Sequence, residues 1–291
     1  MRRQCNMPRL CLAVLPRSGY RAILMLLWLS LGLHSAVQAA PKADLWARWQ
    51  QHNPQDQRAL DFTPWNTFLH TYVEARHASG IARVRYASVT TVDRQALQQF
   101  LQTMQAVPIS TYNRRVQQAY WVNLYNALTV SVVLEHLPVQ SIRDIRLGGG
   151  LFSAGPWQAK LLTIEGEKVS LDDIEHRILR PIWKENRLHY ALNCASLGCP
   201  NLANLAYTPD NMEQLLEAGA RAYVNHPRGV LCEAGTCKLS SIYEWFQADF
   251  GGNAAGVTQH LLRYAEAPLA AQLKAQPGKF TYDYDWKLNA P

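Results

Sequence analysis

Apolar residues recur at helical spacing in several parts of the chain. Residues 64–73, which begin with a proline, and residues 93–105 each place their apolar side chains on one side, as amphipathic helices do. Residues 116–136 differ, because they are apolar nearly all round and are interrupted by only a few polar side chains. This pattern predicts a central, buried helix that does not cross a membrane. Further helices are predicted over 41–51, from Ser170, from Asp210, from Ser241 and over 256–264.

Shorter segments have the alternation or the apolar runs of strands. Residues 82–86 alternate with period two, and residues 159–169 predict a hairpin. The apolar run 188–194 predicts a buried strand that ends in a tight turn. Residues 229–239 predict a second hairpin, and residues 280–289 predict a closing strand. This mixture favours a helix-rich α+β domain, with a small mixed sheet that contains the 188–194 strand and the first hairpin, and with the buried helix at its centre.

The first 39 residues have the three parts of a secretory signal peptide. Five arginines precede an apolar run at 22–33, and Val37-Gln-Ala39 fits the small-x-small pattern of a cleavage site. We therefore expect a periplasmic or secreted protein that is cleaved after Ala39. An uncleaved anchor helix is the alternative, although the apolar run is short for a membrane span. The rest of the chain divides into a helical extension, 40–64, and one globular domain, 65–291.

Removing the leader changes the charge of the chain. The sequence has 29 basic and 22 acidic residues, and five of the basic residues but no acidic ones lie in the leader, which leaves 24 basic residues against 22 acidic ones. There is no run of lysine and arginine of the kind that follows phosphates. Nucleic acid is therefore not an expected partner, and a membrane is expected to be contacted only through the export signal.

Four cysteines remain outside the leader, an even number that suggests disulfides in an exported chain. Cys232 and Cys237 would face each other across the predicted second hairpin, near the separation that a disulfide requires. Cys194 and Cys199 have four residues between them, which is enough for a bond that closes the turn. A redox role would favour the shorter Cys-x-x-Cys spacing, and a metal site with nearby histidines would match no standard zinc pattern. No metal and no cofactor are expected.

Cys194 has a second interpretation, as the nucleophile of a cysteine-dependent hydrolase or acyltransferase that acts on an amide or ester bond. The base would be His176, oriented by Glu175 or Asp172. Backbone amides of the turn at 195–198 would bind the oxyanion. A disulfide at Cys194 would remove this nucleophile, so the state of the thiol separates the two interpretations.

A binding module is the other class of function. Its ligand would be a small molecule or a peptide, such as one of the cell envelope. Glu175 falls within the apolar stripe of its predicted helix, where a carboxylate is costly unless it is paired, so a structural ion pair with Arg180 or Arg187 is its alternative role. His189 is a poor base for Cys194, because side chains five residues apart on a strand point to opposite faces. The candidate binding residues are Asn123, Asn126, Arg180, His189 and Ser196. Asn123 and Asn126 share one narrow face of the buried helix, and their alternative role is to tie that helix to a neighbouring strand or loop.

Five motifs follow one another along the chain. They are Tyr120-Trp-Val-Asn-Leu-Tyr-Asn-Ala127, Ser170-Leu-Asp-Asp-Ile-Glu-His176 followed by Ile178-Leu-Arg180, His189-Tyr-Ala-Leu-Asn-Cys-Ala-Ser-Leu-Gly-Cys-Pro200, Ser240-Ser-Ile-Tyr-Glu-Trp-Phe-Gln-Ala-Asp-Phe250 and Tyr284-Asp-Trp-Lys-Leu-Asn289. In this order the motifs resemble the domain of unknown function 547 family, over residues 65–289. The resemblance implies an exported bacterial protein and brings no activity with it.

Overall fold

The structure is a computed structural model that describes residues 42–147, 155–233 and 235–291. The predicted leader and its cleavage site lie outside the described residues. The helices are α1 (Thr63–Tyr72), α2 (Thr91–Gln105), α3 (Arg114–Glu135), α4 (Arg180–Trp183), α5 (Met212–Val224), α6 (Ile242–Trp245), α7 (Ala254–Tyr264) and α8 (Ala267–Ala275). The strands are β1 (Val73–Glu74), β2 (Arg83–Val84), β3 (Leu162–Ile164), β4 (Glu167–Val169), β5 (Val230–Glu233), β6 (Thr236–Ser240) and β7 (Phe280–Asp283).

Helix α3 is buried along nearly all of its length, as its sequence predicts. The side chain of Asn113 accepts hydrogen bonds from the amides of Arg115 and Val116 and so caps the start of the helix. Helix α2 packs against α3, and β3 packs against α2. The helix-rich α+β fold is therefore confirmed, with α3 at its centre.

The strands form three small sheets in the described part of the chain. β1 pairs with β2 and β3 pairs with β4, both antiparallel. β6 lies between β5, which is antiparallel to it, and β7, which is parallel to it, so this third sheet is mixed. Both predicted hairpins are confirmed, and β7 covers the first part of the predicted closing strand. The fold is therefore built from separate sheets that flank its helices.

The predicted strand at 188–194 is wrong. Asn186–Tyr190 is a 3-10 helix, and residues 192–194 have no regular secondary structure. The sheet that was expected to join this segment to the first hairpin does not form. Residues 188–193 are all buried, so the run shows no alternation, and a short apolar run does not distinguish a strand from a buried turn of helix.

A π-helix interrupts the helix that follows β4. A capping box is present at its start, because Asp173 N donates to Ser170 Oγ at 3.2 Å and Ser170 N donates to Asp173 Oδ2 at 2.8 Å. Asp173–Leu179 is then π-helical, and Arg180 N donates to Glu175 O, five residues earlier. An α-helical periodicity of 100° per residue does not predict this wider turn.

Two other predicted helices are shorter than expected, and one helix was missed. Only Ala47–Gln50, a 3-10 turn, forms within the described part of 41–51. At Ser241 no side-chain cap forms, and α6 has four residues; Ser240 Oγ accepts from Ile242 N instead, at 3.3 Å. Helix α8 follows α7 after a short break and has no counterpart in the sequence predictions.

Ala40–Pro291 form one compact unit, in which the buried apolar side chains form two clusters. The first surrounds α3, and the second surrounds the mixed sheet. The segment around the 3-10 helix contributes to both, since Leu188 belongs to the first cluster and Tyr190 to the second. No helix in the described ranges is long and apolar enough to cross a membrane.

Candidate functional site

Charged and imidazole side chains meet between the π-helix, the 3-10 helix and the segment after α6. Asp249 Oδ2 accepts hydrogen bonds from Arg180 Nε at 2.6 Å and from His189 Nε2 at 2.8 Å. Arg180 Nη1 lies 3.0 Å from His176 Nδ1. A guanidinium group only donates, so His176 Nδ1 accepts and a neutral His176 carries its proton on Nε2. The side chains of His176, Arg180, His189 and Asp249 thus form a continuous polar chain. We call these four residues and Glu175 the histidine cluster.

Glu175 faces both imidazoles of the histidine cluster. Its Oε1 lies 3.9 Å from His176 Nδ1 and 3.8 Å from His189 Nδ1. These separations are too long for direct hydrogen bonds, but one N–H or O–H group of a ligand or a water can bridge such a gap. Burial, followed by the charge of Glu175, raises the pKa of Tyr125 of α3 well above its ordinary value, so this carboxylate also lies near the Tyr125 hydroxyl. The carboxylate of Glu175 is presented to the two rings.

Phe246 is the apolar surface on which the histidine cluster lies. The ring of His189 stacks on it with centroids 4.3 Å apart and planes inclined by 18°. Arg180 Cζ lies 4.8 Å from the centre of the same ring, and the His176 ring lies 5.8 Å away. Stacking and cation–π contacts with one aromatic ring hold the three side chains in fixed positions.

The carboxylates are the solvent-facing part of this site, and the basic groups lie deeper. The Asp172 and Asp249 side chains are 24% and 23% exposed, against 5% for Arg180 and 3% for His189. Burial alone would raise the pKa of Asp249, but the hydrogen bonds and charges of His189 and Arg180 outweigh it and hold that pKa well below its ordinary value. Asp249 is therefore ionised at neutral pH.

Two neighbouring groups have pKa values shifted toward their neutral forms. Burial lowers the pKa of His176 to about 4, so its imidazole is neutral at pH 7. Burial, followed by the charge of Glu175, raises the pKa of Asp172 to about 7. Asp172 Oδ1 lies 3.7 Å from His176 Nε2. The site therefore gains negative charge as the pH rises through neutrality.

The structure places both predicted pairs of cysteines at disulfide distance, Cys194 with Cys199 and Cys232 with Cys237. Cys194 is half-buried, and its Sγ lies 3.4 Å from Ser196 Oγ and 3.2 Å from the Tyr284 hydroxyl. The described side chains place no hydrogen bond between Cys194 and His176, whose Nδ1 is already bonded to Arg180. The thiol and base that a cysteine hydrolase needs are therefore not paired in this state.

The turn after Cys194 does not offer the expected oxyanion-binding amides. Ala195 N donates to Asn193 Oδ1 at 2.9 Å. Leu197 N donates to Lys287 O and Gly198 N to Asp285 O, both at 2.8 Å. Three of the four amides at 195–198 are thus bonded within the protein, and this part of the predicted catalytic arrangement is wrong.

Asn123 and Asn126 each use their amide to hold a loop against α3. Asn123 donates to Tyr207 O at 2.7 Å and accepts from Tyr207 N at 2.9 Å. Asn126 donates to Ala191 O at 2.8 Å and accepts from Asn193 N at 2.9 Å. Both are buried, and this geometry is that of the structural role rather than of contact with a ligand.

Sequence reasoning did not single out Asp249 or Phe246. Both lie in the segment that continues from Ser241, which was predicted to be a helix. The available signal was a carboxylate between two aromatic residues, Phe246 and Phe250. A carboxylate in such a position needs a partner, and here the partners come from the π-helix and the 3-10 helix.

A separate open cleft of about 370 Å³ lies between α2, α3 and β3 and contains none of the predicted site residues. Gln98, Gln102, Gln105 and Leu161 are among its lining residues. Across the described ranges, no group of three or more His, Cys, Asp or Glu side chains is placed to hold a metal ion. The histidine cluster therefore remains the part of the described structure that gathers the most reactive groups.

Residues 109–224 match the model of a family described as a protein of unknown function, DUF547, which supports assignment of this part of the chain to that family. The match is narrower than the 65–289 that the motifs indicate. It includes α3, the π-helix and the Cys194–Cys199 turn, and it leaves out Asp249, Phe246 and the second disulfide. No curated protein and no solved structure matches the chain.

Proposed function

We propose that the domain binds a ligand that presents an amine or a similar N–H-rich group, and that a peptide is the favoured class. The observation that carries this proposal is the position of Glu175, whose Oε1 faces the Nδ1 atoms of His176 and His189 at 3.9 and 3.8 Å. A ligand N–H group between these atoms would donate to a carboxylate and to His189. The solvent-facing carboxylates of Asp172 and Asp249 give the site negative charge, which complements a cationic ligand.

His189 is the group in this site that is suited to exchange a proton with a ligand. Asp249 fixes one ring nitrogen at 2.8 Å, and Phe246 fixes the plane of the ring. An imidazole oriented in this way by a carboxylate is the arrangement that general bases have in many enzymes. The proposal is therefore a binding site that also has the parts for acid–base chemistry.

The binding proposal is tested by NMR with histidine-labelled protein. The probes are lysine-containing dipeptides, the same dipeptides with acetylated amines, and an acidic dipeptide. The His189 signals should shift and saturate with the free amines, whereas the exposed His70 should not respond. Raising the pH from 6 to 8 should tighten binding, because Asp172 loses its proton near pH 7. Equal binding of the acidic dipeptide would contradict the proposal.

Glu175→Gln is the matched variant, because it keeps the size of the side chain and removes its charge. We expect it to weaken binding of the free amine at least about tenfold, which is 1.4 kcal/mol. Asp210→Asn is the control, since that side chain is 95% exposed and its described ion pair is with Arg115. Unchanged affinity in Glu175→Gln would show that this carboxylate does not contact the ligand.

A cysteine-dependent hydrolase or acyltransferase remains the alternative, and it requires Cys194 to be reduced. Its specific support is that the half-buried Cys194 precedes Ala195, which has φ +61°, a conformation that non-glycine residues adopt mainly at constrained sites. The argument against His189 as its base no longer holds, because the segment is not a strand. Hydrolysis of a p-nitrophenyl ester by the reduced protein, lost in Cys194→Ala, would favour this function over simple binding.

We also propose that the protein is exported through residues 1–39. Two disulfides support this proposal, since such bonds persist in oxidising compartments and are rare in the cytosol. Expression of the full chain in a bacterial host, with fractionation and intact-mass measurement, tests it. We expect the protein in the periplasm, with the mass of a chain that begins at Ala40. A cytoplasmic chain of full mass would contradict export, and a membrane-bound chain of full mass would indicate the anchor instead.

A further inference from the structure

We propose that Cys194 and Cys199 are a thiol–disulfide exchange site that oxidises a pair of thiols on a small molecule or a protein. This proposal does not rest on the histidine cluster. It rests on an asymmetry between the two sulphurs, in their access to solvent and in the backbone amide of Cys194, which donates a hydrogen bond to Cys199 Sγ.

Access to solvent selects the sulphur that an incoming thiol attacks. Cys194 is half-buried, whereas Cys199 is 2% exposed. Exchange requires a thiolate to approach one sulphur directly, so its rate depends on this access. Cys194 is therefore the sulphur that forms the mixed disulfide, and Cys199 is the leaving group.

Hydrogen bonds favour negative charge on Cys199. Its Sγ accepts from the backbone amide of Cys194 at 2.9 Å and from the Tyr284 hydroxyl at 3.1 Å. Ser196 Oγ in turn donates to the Tyr284 hydroxyl at 3.1 Å, which strengthens the tyrosine as a donor. A thiolate is a much better acceptor than a disulfide sulphur, so these bonds stabilise the reduced state more than the oxidised one.

Tyr284 keeps its proton under the conditions in which exchange takes place. Burial raises its pKa above the ordinary tyrosine value. Of the charged groups near its hydroxyl, Arg228 acts to lower this pKa and Glu175 to raise it. Arg228 also donates to Leu197 O at 3.1 Å, so a buried cation is bonded to the loop that the two cysteines close.

The reaction has two steps, and its atoms and electrons balance. A substrate thiolate attacks Cys194 Sγ, the bond between Cys194 and Cys199 breaks, and its electron pair leaves on Cys199 as a thiolate. The second substrate thiolate then attacks the substrate sulphur of the mixed disulfide and releases Cys194. The dithiol loses two electrons and two protons and becomes a disulfide, and one domain oxidises one dithiol.

The second disulfide is a control within the same molecule. Cys232 and Cys237 are both buried, at 6% and 0% exposed. Among the described residues, no hydroxyl, amide or guanidinium group donates a hydrogen bond to either of their sulphurs. This bridge should therefore be the harder of the two to reduce.

The test equilibrates the full oxidised chain with glutathione buffers, blocks free thiols with N-ethylmaleimide and maps each bridge by peptide mass. The midpoint of each bridge is the ratio of reduced glutathione squared to oxidised glutathione at which half of it is reduced. We expect the midpoint of Cys194–Cys199 to be at least about 100-fold lower than that of Cys232–Cys237, which corresponds to reduction potentials about 60 mV apart. Trapped glutathione should be on Cys194. Equal midpoints, or glutathione on Cys199, would overturn the proposal.

Tyr284→Phe tests the contribution of the tyrosine hydroxyl, which lies 3.1 Å from Cys199 Sγ and 3.2 Å from Cys194 Sγ. We expect it to raise the ratio that half-reduces Cys194–Cys199 about tenfold, or about 30 mV, and to leave the Cys232–Cys237 midpoint unchanged. If both midpoints move, the variant has perturbed the fold, and Ser196→Ala replaces it, with a smaller shift in the same direction. A midpoint that stays in place in a folded variant would contradict the role of this hydroxyl.

Discussion

The two disulfides close loops of equal length in opposite surroundings. Each joins cysteines five positions apart. Cys194–Cys199, the turn bridge, has hydroxyl and amide donors beside it, and one of its cysteines is half-buried. Cys232–Cys237, the hairpin bridge, lies within the apolar cluster of the mixed sheet. Equal loop length gives both bridges a similar effect on the unfolded chain. The difference between the two bridges teaches that the spacing of cysteines in the sequence predicts a disulfide, whereas the groups around the disulfide determine its reactivity.

A similar contrast separates two ion pairs of the fold. The π-helix and the segment after α6 supply Arg180 and Asp249, whose ion pair is 5% and 23% exposed. On the mixed sheet, Lys238 and Asp283 form a longer pair, at 3.7 Å, and are 49% and 70% exposed. Buried pairs are costly to break, whereas exposed pairs contribute little, so the two regions should respond differently to the same substitution.

Asp249→Asn should give the largest loss. It removes the charge of the carboxylate that Arg180 and His189 contact, and we expect the free energy of unfolding to fall by about 3 kcal/mol. Asp283→Asn is the matched change on the sheet, and it should cost under about 0.5 kcal/mol. Urea denaturation at pH 7 measures both. Similar losses in the two variants would remove the contrast between the regions.

Removing each disulfide should give the next largest loss. The double variants Cys194→Ala with Cys199→Ala, and Cys232→Ala with Cys237→Ala, should each lower the free energy of unfolding by about 2 kcal/mol, because the two loops are equally long. Denaturation of both proteins beside the oxidised parent checks this. A difference of more than about 2 kcal/mol between the double variants would mean that native-state packing, rather than loop closure, dominates one bridge.

Asp172→Asn should give the smallest effect, and it is a gain. Asp172 has a pKa of about 7 in the folded protein against an ordinary 3.8, so the folded state binds this proton more tightly. The resulting loss of stability is absent below pH 4, grows between pH 4 and 7 and is complete above pH 7. The variant removes it, with a gain of about 1–2 kcal/mol at pH 8 and none at pH 4.

Thermal and urea unfolding of Asp172→Asn across this pH range provides the measurement, with Asp283→Asn as the variant that should track the parent at every pH. The neutral His176 acts in the opposite direction, because its pKa of about 4 makes the folded state lose stability as the pH falls below 6.5. The parent should therefore show a flatter profile between pH 4 and 6.5 than Asp172→Asn. A gain in the variant at pH 4 would show that the effect is not electrostatic.

Elements with strong local signals were predictable from the sequence. Helix α3, helix α2 and both hairpins follow from apolar periodicity, and the two disulfides follow from spacing within a turn and a hairpin. The segment at 188–194 was not predictable in this way, because its side chains are buried on every side by tertiary contacts. Periodicity reports which side of an element faces the core, and it fails where no side faces water.

The candidate site was predictable only in part, for a related reason. Glu175, His176, Arg180 and His189 were identified, but Asp249 connects them from about 60 residues farther along the chain. Sequence reasoning gave Cys194 two interpretations, a disulfide with Cys199 and a catalytic pairing with His176. In the structure Cys194 pairs with Cys199, whereas His176 contacts Arg180, and this second pairing depends on tertiary geometry.

The π-helix has a consequence for how relatives of this chain should be aligned. Its hydrogen bond from Arg180 N to Glu175 O fixes the number of residues that must lie between them. Deleting one residue would restore an α-helical turn and rotate the following side chains by about 100° around the axis, which would carry Arg180 away from Asp249. Gaps in an alignment are therefore expected on either side of 173–180 and not within it.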